Sequence, residues 1–260
     1  MLSLALIFWG GSICLFSQYV LQAIFVFSCS SYLFKMVILG LLSCVIEATL
    51  VMAFIYYDFN DAVSIALGVC VAFFWFVMIQ ITTWLSVKRI QSLGYYMAFD
   101  SYIQYVPYIV GLLEIPTTLC IILDAWNVNL FLGYYDISST VFAFLSIILE
   151  ITLCILLIKK LNFILEYKPK TLSKLAFHIK FMCLLITLLE CGIIVSKIMK
   201  LPLDFSIRPF THLLRIYVII QFYNDLLLSV DQEMQQLDSL KLPSFDDSIY
   251  QSMHSEQELF

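Results

Sequence analysis

Four carboxylic acids stand near the middle of long apolar segments of this chain. Each is flanked on both sides by aliphatic and small residues, and the four are Glu47, Glu114, Glu150 and Glu190. A fifth acid, Asp225, lies near the end of the last apolar segment. An ionised side chain in the middle of a bilayer costs a few kcal/mol or more. We therefore expect these acids to face the interior of a helix bundle, where they are paired, hydrated or protonated.

The last apolar segment also carries a basic face at its beginning. Arg208 and Arg215 are two helical turns apart, so they share a face with Thr211 and His212. We expect the glutamates of the fourth, fifth and sixth segments to be the partners of this face. The like charge of Arg215 disfavours a charged His212, and a neutral histidine at this position suits a proton relay.

The apolar segments contain more acids than bases, so pairing alone leaves carboxyl groups over. A carboxyl group held away from water can exchange a proton near neutral pH. The pattern predicts a chain that handles protons or cations, as a small channel, a transporter or a subunit of one. The alternative is that these buried polar side chains only fix which helices touch.

Composition decides the class of protein. Of the 260 residues, 62% are hydrophobic and 13% are charged, and the mean hydropathy is +0.95; soluble domains contain about 25% charged residues. The predicted fold class is all-α, a polytopic integral membrane bundle. All eight cysteines lie in apolar segments without a CxxC spacing, so no disulfide framework, zinc site or other cofactor is predicted.

Seven apolar segments are long enough to cross a bilayer as helices. Their approximate ranges are 5–33, 36–57, 62–86, 101–124, 138–158, 177–198 and 207–229. Only Lys35 marks the break between the first two, so six spans with a re-entrant N-terminal piece is the alternative. We expect the first segment to be a span and not a cleaved leader, because no basic region precedes it.

Charge in the connecting loops predicts the orientation. Basic residues follow the first, third and fifth segments, whereas the loops after the second and fourth hold only acids. The positive-inside rule then gives an outside N-terminus and a cytosolic C-terminus. Residues 1–230 form the predicted transmembrane domain, in a plasma, endosomal or vacuolar membrane. Residues 231–260 form an acidic cytosolic tail whose composition is typical of disorder.

The tail holds two kinds of short motif. Tyr250 and Met253 in YQSM fit a tyrosine-based sorting signal, and Ser244 and Ser255 precede acids, as acidophilic kinase sites do. The expected partners are membrane lipids, other membrane subunits or a second copy of the chain, and a cytosolic protein that binds the tail. No pattern typical of nucleic-acid binding occurs.

The segments within 101–230 resemble the four-helix voltage-sensor module of cation channels. In that family the first three helices carry acids and the fourth carries arginines. The matching positions here are Glu114, Glu150 and Glu190, followed by Arg208 and Arg215 in IRPFTHLLR. The resemblance implies that this half of the chain begins and ends in the cytosol.

Two other classes of function stay open. Seven spans, an outside N-terminus and a basic loop after the fifth span resemble G-protein-coupled receptors. However, WLSVKRI and FYNDLL stand where that family has its DRY-like and NPxxY motifs. Short loops and a small size also fit a non-catalytic structural or assembly subunit of a larger membrane complex. No catalytic motif is present, so no enzymatic activity is predicted.

Overall fold

The computed structural model describes most of the chain as helix. The described residues are 2–27, 31–56, 61–93, 99–125, 132–167, parts of 176–195, and 204–239. The helices are α1 (Leu2–Val26), α2 (Tyr32–Tyr56), α3 (Asp61–Gln91), the short α4 (Asp100–Ile103), α5 (Val106–Ala125), α6 (Leu132–Tyr167), α7 (Ile179–Leu188) and α8 (Asp204–Ser239). No strand occurs within these ranges.

Five stretches of helix are long and apolar enough to cross a membrane. These stretches are Leu6–Val26, Tyr32–Ala53, Ala62–Gln91, Ser101–Leu123 and Thr140–Phe163. Their length and composition are those of a helical membrane bundle, as the sequence predicts. α7 is apolar but shorter, and α8 falls outside this group because polar and charged side chains interrupt its apolar residues.

The break between the first two helices lies earlier than predicted. α1 ends at Val26 and α2 begins at Tyr32, before Lys35. The Ser31 hydroxyl accepts a hydrogen bond from the Phe34 backbone N–H at 3.1 Å, which is the geometry of an N-cap. α1 and α2 are separate helices of spanning length, which favours two spans over a re-entrant piece.

Three helices extend past the predicted ends of their spans. α3 continues to Gln91, α6 to Tyr167, and α8 to Ser239, inside the segment predicted as the tail. The basic residues Arg89 and Lys160 were predicted to lie in loops; this is wrong, because both lie within helices. The orientation inferred from them stays a prediction.

α1 and α8 run side by side in the same direction. Ring contacts join Phe8 to Phe210, Tyr19 to Tyr217 and Phe27 to Tyr223, with centroids 5.5, 4.8 and 5.3 Å apart. Because residue numbers rise together along both helices, the two helices are parallel. The first and last helices of the bundle are therefore parallel neighbours.

α8 is enclosed by its neighbours over the middle part whose side chains are described. Val218, Ile219 and Ile220 are consecutive and all buried, so neighbours cover most of the circumference of this helix. α1, α2 and α3 pack along it, and Ile186 of α7 packs against Val218. α5 and α6 pack on each other and on α3.

Gly40 of α2 is the point where α2, α3 and α8 approach most closely. A Cβ atom added there would lie 2.9 Å from both Ile216 Cδ1 and Ile81 Cγ2. Since real Cβ atoms do not approach that closely, the three helices require a residue without a side chain at this position.

We predict that Gly40→Ala destabilises the bundle, because two side chains on different helices must move. Overpacking of this kind costs about 1–3 kcal/mol. The measurement is thermal unfolding in detergent. The control is Gly10→Ala, since a Cβ at Gly10 meets nothing within 4 Å. A Gly40→Ala protein as stable as the Gly10→Ala protein would contradict this packing.

Candidate functional site

A buried hydrogen bond joins the two inner helices, α3 and α8. Thr82 Oγ1 lies 3.2 Å from His212 Nδ1, and both residues are buried. The same hydroxyl also lies 3.0 Å from the Met78 carbonyl oxygen and 3.1 Å from that of Ile79. Thr82 and His212 both lie within their helices, away from the ends of α3 and α8.

The hydrogen bond to Thr82 fixes the orientation of the His212 ring. When the single hydrogen of the Thr82 hydroxyl is donated to a carbonyl of α3, its oxygen accepts from His212 Nδ1–H; in the other tautomer the hydroxyl donates to Nδ1. A neutral histidine has one donor and one acceptor nitrogen in either tautomer, so it can take up a proton at the acceptor nitrogen.

The neighbouring polar residues of α8 also face the interior. Thr211 is fully buried and Arg215 is 8% exposed, one turn from His212. Arg208 lies in the first turns of α8, but its side chain is outside the described part of the structure. The shared face predicted for Thr211, His212 and Arg215 is therefore a buried face.

The buried cluster consists of Thr82, Thr211, His212 and Arg215, and Glu47 lies on α2 near the level of this cluster. Its side chain is fully buried, and α2 packs along α8 in the opposite direction. The contact of Gly40 with Ile216 fixes the register of the two helices. Glu47 is two turns beyond Gly40, and Pro209 is two turns before Ile216, so Glu47 is level with Pro209.

The direction of helical side chains brings Glu47 and Arg215 closer than their backbones. Long side chains in a helix lean toward its N-terminus. Because α2 and α8 are antiparallel, Glu47 leans toward the Ile216 level and Arg215 leans toward the Pro209 level. The two side chains therefore both point toward the stretch of α8 between Pro209 and Ile216.

Glu114 belongs to a second buried polar stripe. It is fully buried on α5, one turn from Gly111 and next to the buried Thr117. In the amide orientation that satisfies both groups, Gln80 of α3 donates to the Pro107 carbonyl and accepts from the Gly111 N–H, each at 3.0 Å. This stripe therefore faces α3.

The Gln80 amide bridges a backbone pair that a helix normally joins directly. Pro107 and Gly111 are four residues apart, which is the spacing of the helical hydrogen bond. A side chain can reach both groups because Gly111 has none of its own: a Cβ there would lie 2.9 Å from the end of the Gln80 amide.

The helix contacts add a further candidate partner for Arg215, and the predicted pairing with the glutamates of later spans stays a prediction. The predicted partners came from the fourth to sixth spans, but Glu47 is on the second span, which packs along α8. Glu114 lies on α5, which packs on α3 and α6. Glu150 lies in α6, but its side chain is not described. Five other predicted residues lie outside the described part of the chain: Glu190, Ser244, Tyr250, Met253 and Ser255. Asp225 is half-buried in the second half of α8.

Two buried basic residues were missed by the sequence analysis. Arg89 and Lys160 are each 1% exposed. Among the buried described side chains, three are basic (Arg89, Lys160 and Arg215) and two are acidic (Glu47 and Glu114). The predicted excess of acids stays a prediction, because it includes Glu150 and Glu190, whose side chains are not described. Arg89 lies two turns from Thr82 on the same face of α3, and this spacing could have indicated that Arg89 is buried.

The cysteines do not add a reactive or metal site to this cluster. Seven cysteines of the described residues are free thiols, and Cys44 of α2 is one turn from Glu47. No group of three or more histidine, cysteine, aspartate or glutamate residues in that part of the chain could hold a metal ion. The chemistry of the cluster is that of protonatable groups and a guanidinium.

We predict that Thr82→Val destabilises the protein by about 1–3 kcal/mol, because His212 Nδ1 then loses this buried hydrogen bond to α3. Chemical unfolding in detergent measures the difference. Thr152→Val is the matched control, since the Thr152 hydroxyl is exposed and donates only to the Ile148 carbonyl of its own helix at 2.7 Å. If Thr82→Val and Thr152→Val lower the free energy of unfolding by the same amount, the hydrogen bond between α3 and α8 is ruled out.

Comparison with known proteins adds no further constraint on the function. No protein-family model, curated protein or solved structure matches this chain. The evidence on function therefore comes from the buried side chains of α2, α3, α5 and α8.

Proposed function

We propose that this chain is a seven-span membrane protein that handles protons, as a small channel, a transporter or a subunit of one. The observation that carries the proposal is the buried Thr82–His212 hydrogen bond, on the stretch of α8 toward which the Glu47 and Arg215 side chains point. Protonatable groups are rarely kept in such surroundings unless they serve a function or pair with one another.

Protons fit this cluster better than metal cations do. Arg215 carries a permanent positive charge, which repels a bare cation in a medium of low dielectric constant. A proton instead moves by binding to an acceptor atom, and the Glu47 carboxylate and the unprotonated nitrogen of His212 are acceptors beside the guanidinium. The earlier expectation of protons or cations is thereby narrowed to protons.

The proposed step is an exchange of counter-charges. With Glu47 ionised, its carboxylate neutralises Arg215. When Glu47 binds a proton, Arg215 loses that counter-charge, and its own positive charge keeps His212 neutral. Proton release restores the pair. Each cycle changes the attraction between α2 and α8, and this is how proton binding would move a helix.

The stripe around Glu114 supplies a second protonatable group. Glu114 and Thr117 lie on the side of α5 that faces α3, beside the bridge made by Gln80. A backbone pair bridged by a side chain is easier to bend than one joined directly, as at other helix kinks. We propose that this turn of α5 adjusts when Glu114 gains or loses its proton.

The membrane topology is part of the proposal. α8 supports a seventh span because its polar residues are enclosed by α1, α2 and α3, so their cost in lipid is avoided. α7 supports a sixth. The alternation of basic and acidic loops supports an outside N-terminus and a cytosolic C-terminus.

A heptahelical receptor is the second candidate. It is favoured by the parallel contact of α1 with α8, which closes the bundle, and by the central position of α3 between α2, α5, α6 and α8. In this case the cluster would act as a switch between α3 and α8. Agonist-dependent nucleotide exchange on a G protein would support this alternative.

We predict that purified protein in liposomes carries a proton flux driven by a pH gradient, and that Glu47→Gln lowers this flux by about tenfold or more because a relay group is lost. A pH-sensitive dye inside the liposomes measures it. Ser43→Ala is the control: Ser43 is buried one turn away, and its hydroxyl donates to the Leu39 carbonyl at 2.8 Å.

The two variants must elute as the wild type does on size-exclusion chromatography. Under that condition, an unchanged flux in Glu47→Gln would contradict the relay. The absence of flux from wild-type protein, together with a stability loss in Glu47→Gln, would reduce the cluster to an assembly device.

A further inference from the structure

Arg89 is a buried guanidinium at the far end of α3. It is 1% exposed, and its Nε and Nη2 atoms have no hydrogen-bond partner among the described residues. On α8, the Tyr223 hydroxyl lies within electrostatic range of Arg89 and close to Ser92. Arg89 lies two turns beyond Thr82 on α3, at a different depth in the bundle from Glu47.

A guanidinium in this position requires oxygen acceptors. Arginine has five N–H donors in a planar fork and cannot lose its charge in a protein. Leaving two of its nitrogens buried without an acceptor is costly, and the phenolic oxygen of Tyr223 is a single neutral group. Carboxylate and phosphate oxygens match the fork with two parallel hydrogen bonds.

The depth of Arg89 selects phosphate. The apolar stretch Ala62–Gln91 has its middle near residue 76, so Arg89 lies about 20 Å from that middle at the usual helical rise. The hydrocarbon core extends only about 15 Å from the bilayer centre. Arg89 is thus level with the lipid phosphates.

Aromatic residues around this end of α3 support the same depth. Trp84 packs edge-on against Tyr32 of α2 at 5.1 Å, and Lys88 Nζ lies 5.2 Å from the centre of the Trp84 ring. Tryptophan and tyrosine concentrate at the level of the lipid headgroups, where lysine reaches out to water. The Lys88 side chain is held on Trp84, away from the group of Arg89 and Tyr223.

We propose that Arg89 binds a phosphate group between α3 and α8, beside Tyr223. The guanidinium donates two hydrogen bonds to the phosphate oxygens. The Ser92 hydroxyl donates to the Arg89 carbonyl oxygen at 2.9 Å, so its hydrogen is not offered to the phosphate. The source is the headgroup of an anionic phospholipid or free phosphate, and the chemistry of recognition is the same for both. The site does not depend on proton transport by the chain.

The test is thermal unfolding of the full chain in neutral detergent, titrated with dioctanoyl phosphatidic acid and, separately, with inorganic phosphate. We expect the lipid to raise the unfolding temperature with saturation, and Arg89→Gln to weaken its apparent affinity about tenfold or more. Lys88→Gln is the matched control, because it removes one positive charge from the adjacent position.

The arms of the experiment separate the outcomes. Stabilisation by the lipid alone identifies a headgroup site, and stabilisation by both identifies a site for phosphate itself. Arg89→Lys keeps the charge but loses the fork, so its affinity should fall between those of wild type and Arg89→Gln. If Arg89→Gln does not fold, Arg89→Lys with wild-type affinity overturns the proposal. Equal weakening by Arg89→Gln and Lys88→Gln, or no stabilisation by either compound, also overturns it.

Discussion

α8 carries polar side chains that cannot face lipid, and this constraint governs the arrangement of the other helices. Hydrocarbon offers no hydrogen-bond partner, so each polar group at that depth must find one within the protein. Helices α1, α2 and α3 enclose α8 and present their own polar groups to it. Thr82 meets His212, and Gln22 of α1 meets Gln221. The apolar surfaces of α1, α2 and α3 are left to face lipid.

Close packing makes these polar contacts possible. At Gly40 the backbone of α2 comes within contact of side chains from both α3 and α8. This approach fixes the register of α2 against α8 and so brings Glu47 to the level of Pro209, within two turns of Arg215. A similar approach at Gly111 admits the Gln80 amide beside Glu114. In both stripes a glycine one or two turns from a glutamate determines which helix the carboxyl group faces.

Much of the bundle could be predicted from the sequence because the physical rule is simple. Long apolar runs become helices, and charges within them turn inward; Glu47, Glu114, His212 and Arg215 are all buried as that rule requires. The choice of neighbouring helices could not be predicted, because it depends on side-chain packing along whole helices. Glu47 of α2, which packs along α8, was for this reason not considered as a partner for Arg215.

Helix ends were the other weak point of the prediction. Arg89 and Lys160 were assigned to loops because spans were ended at the first basic residues, yet arginine and lysine can remain helical beyond the hydrocarbon core. The second span was predicted to start at residue 36, just after Lys35, while the capping hydroxyl of Ser31 lies five residues before that start. Capping residues and helical phase carry this information, whereas charge alone does not.

The pairing of Glu47 with Arg215 is the central claim, and a double-mutant cycle tests it most directly. Unfolding free energies of wild type, Glu47→Gln, Arg215→Gln and the double variant would be measured in the same detergent. A buried pair predicts a coupling of about 1–3 kcal/mol, and a double variant more stable than Glu47→Gln, which leaves the guanidinium uncompensated. Additive losses would show that the two groups do not interact and would contradict the account.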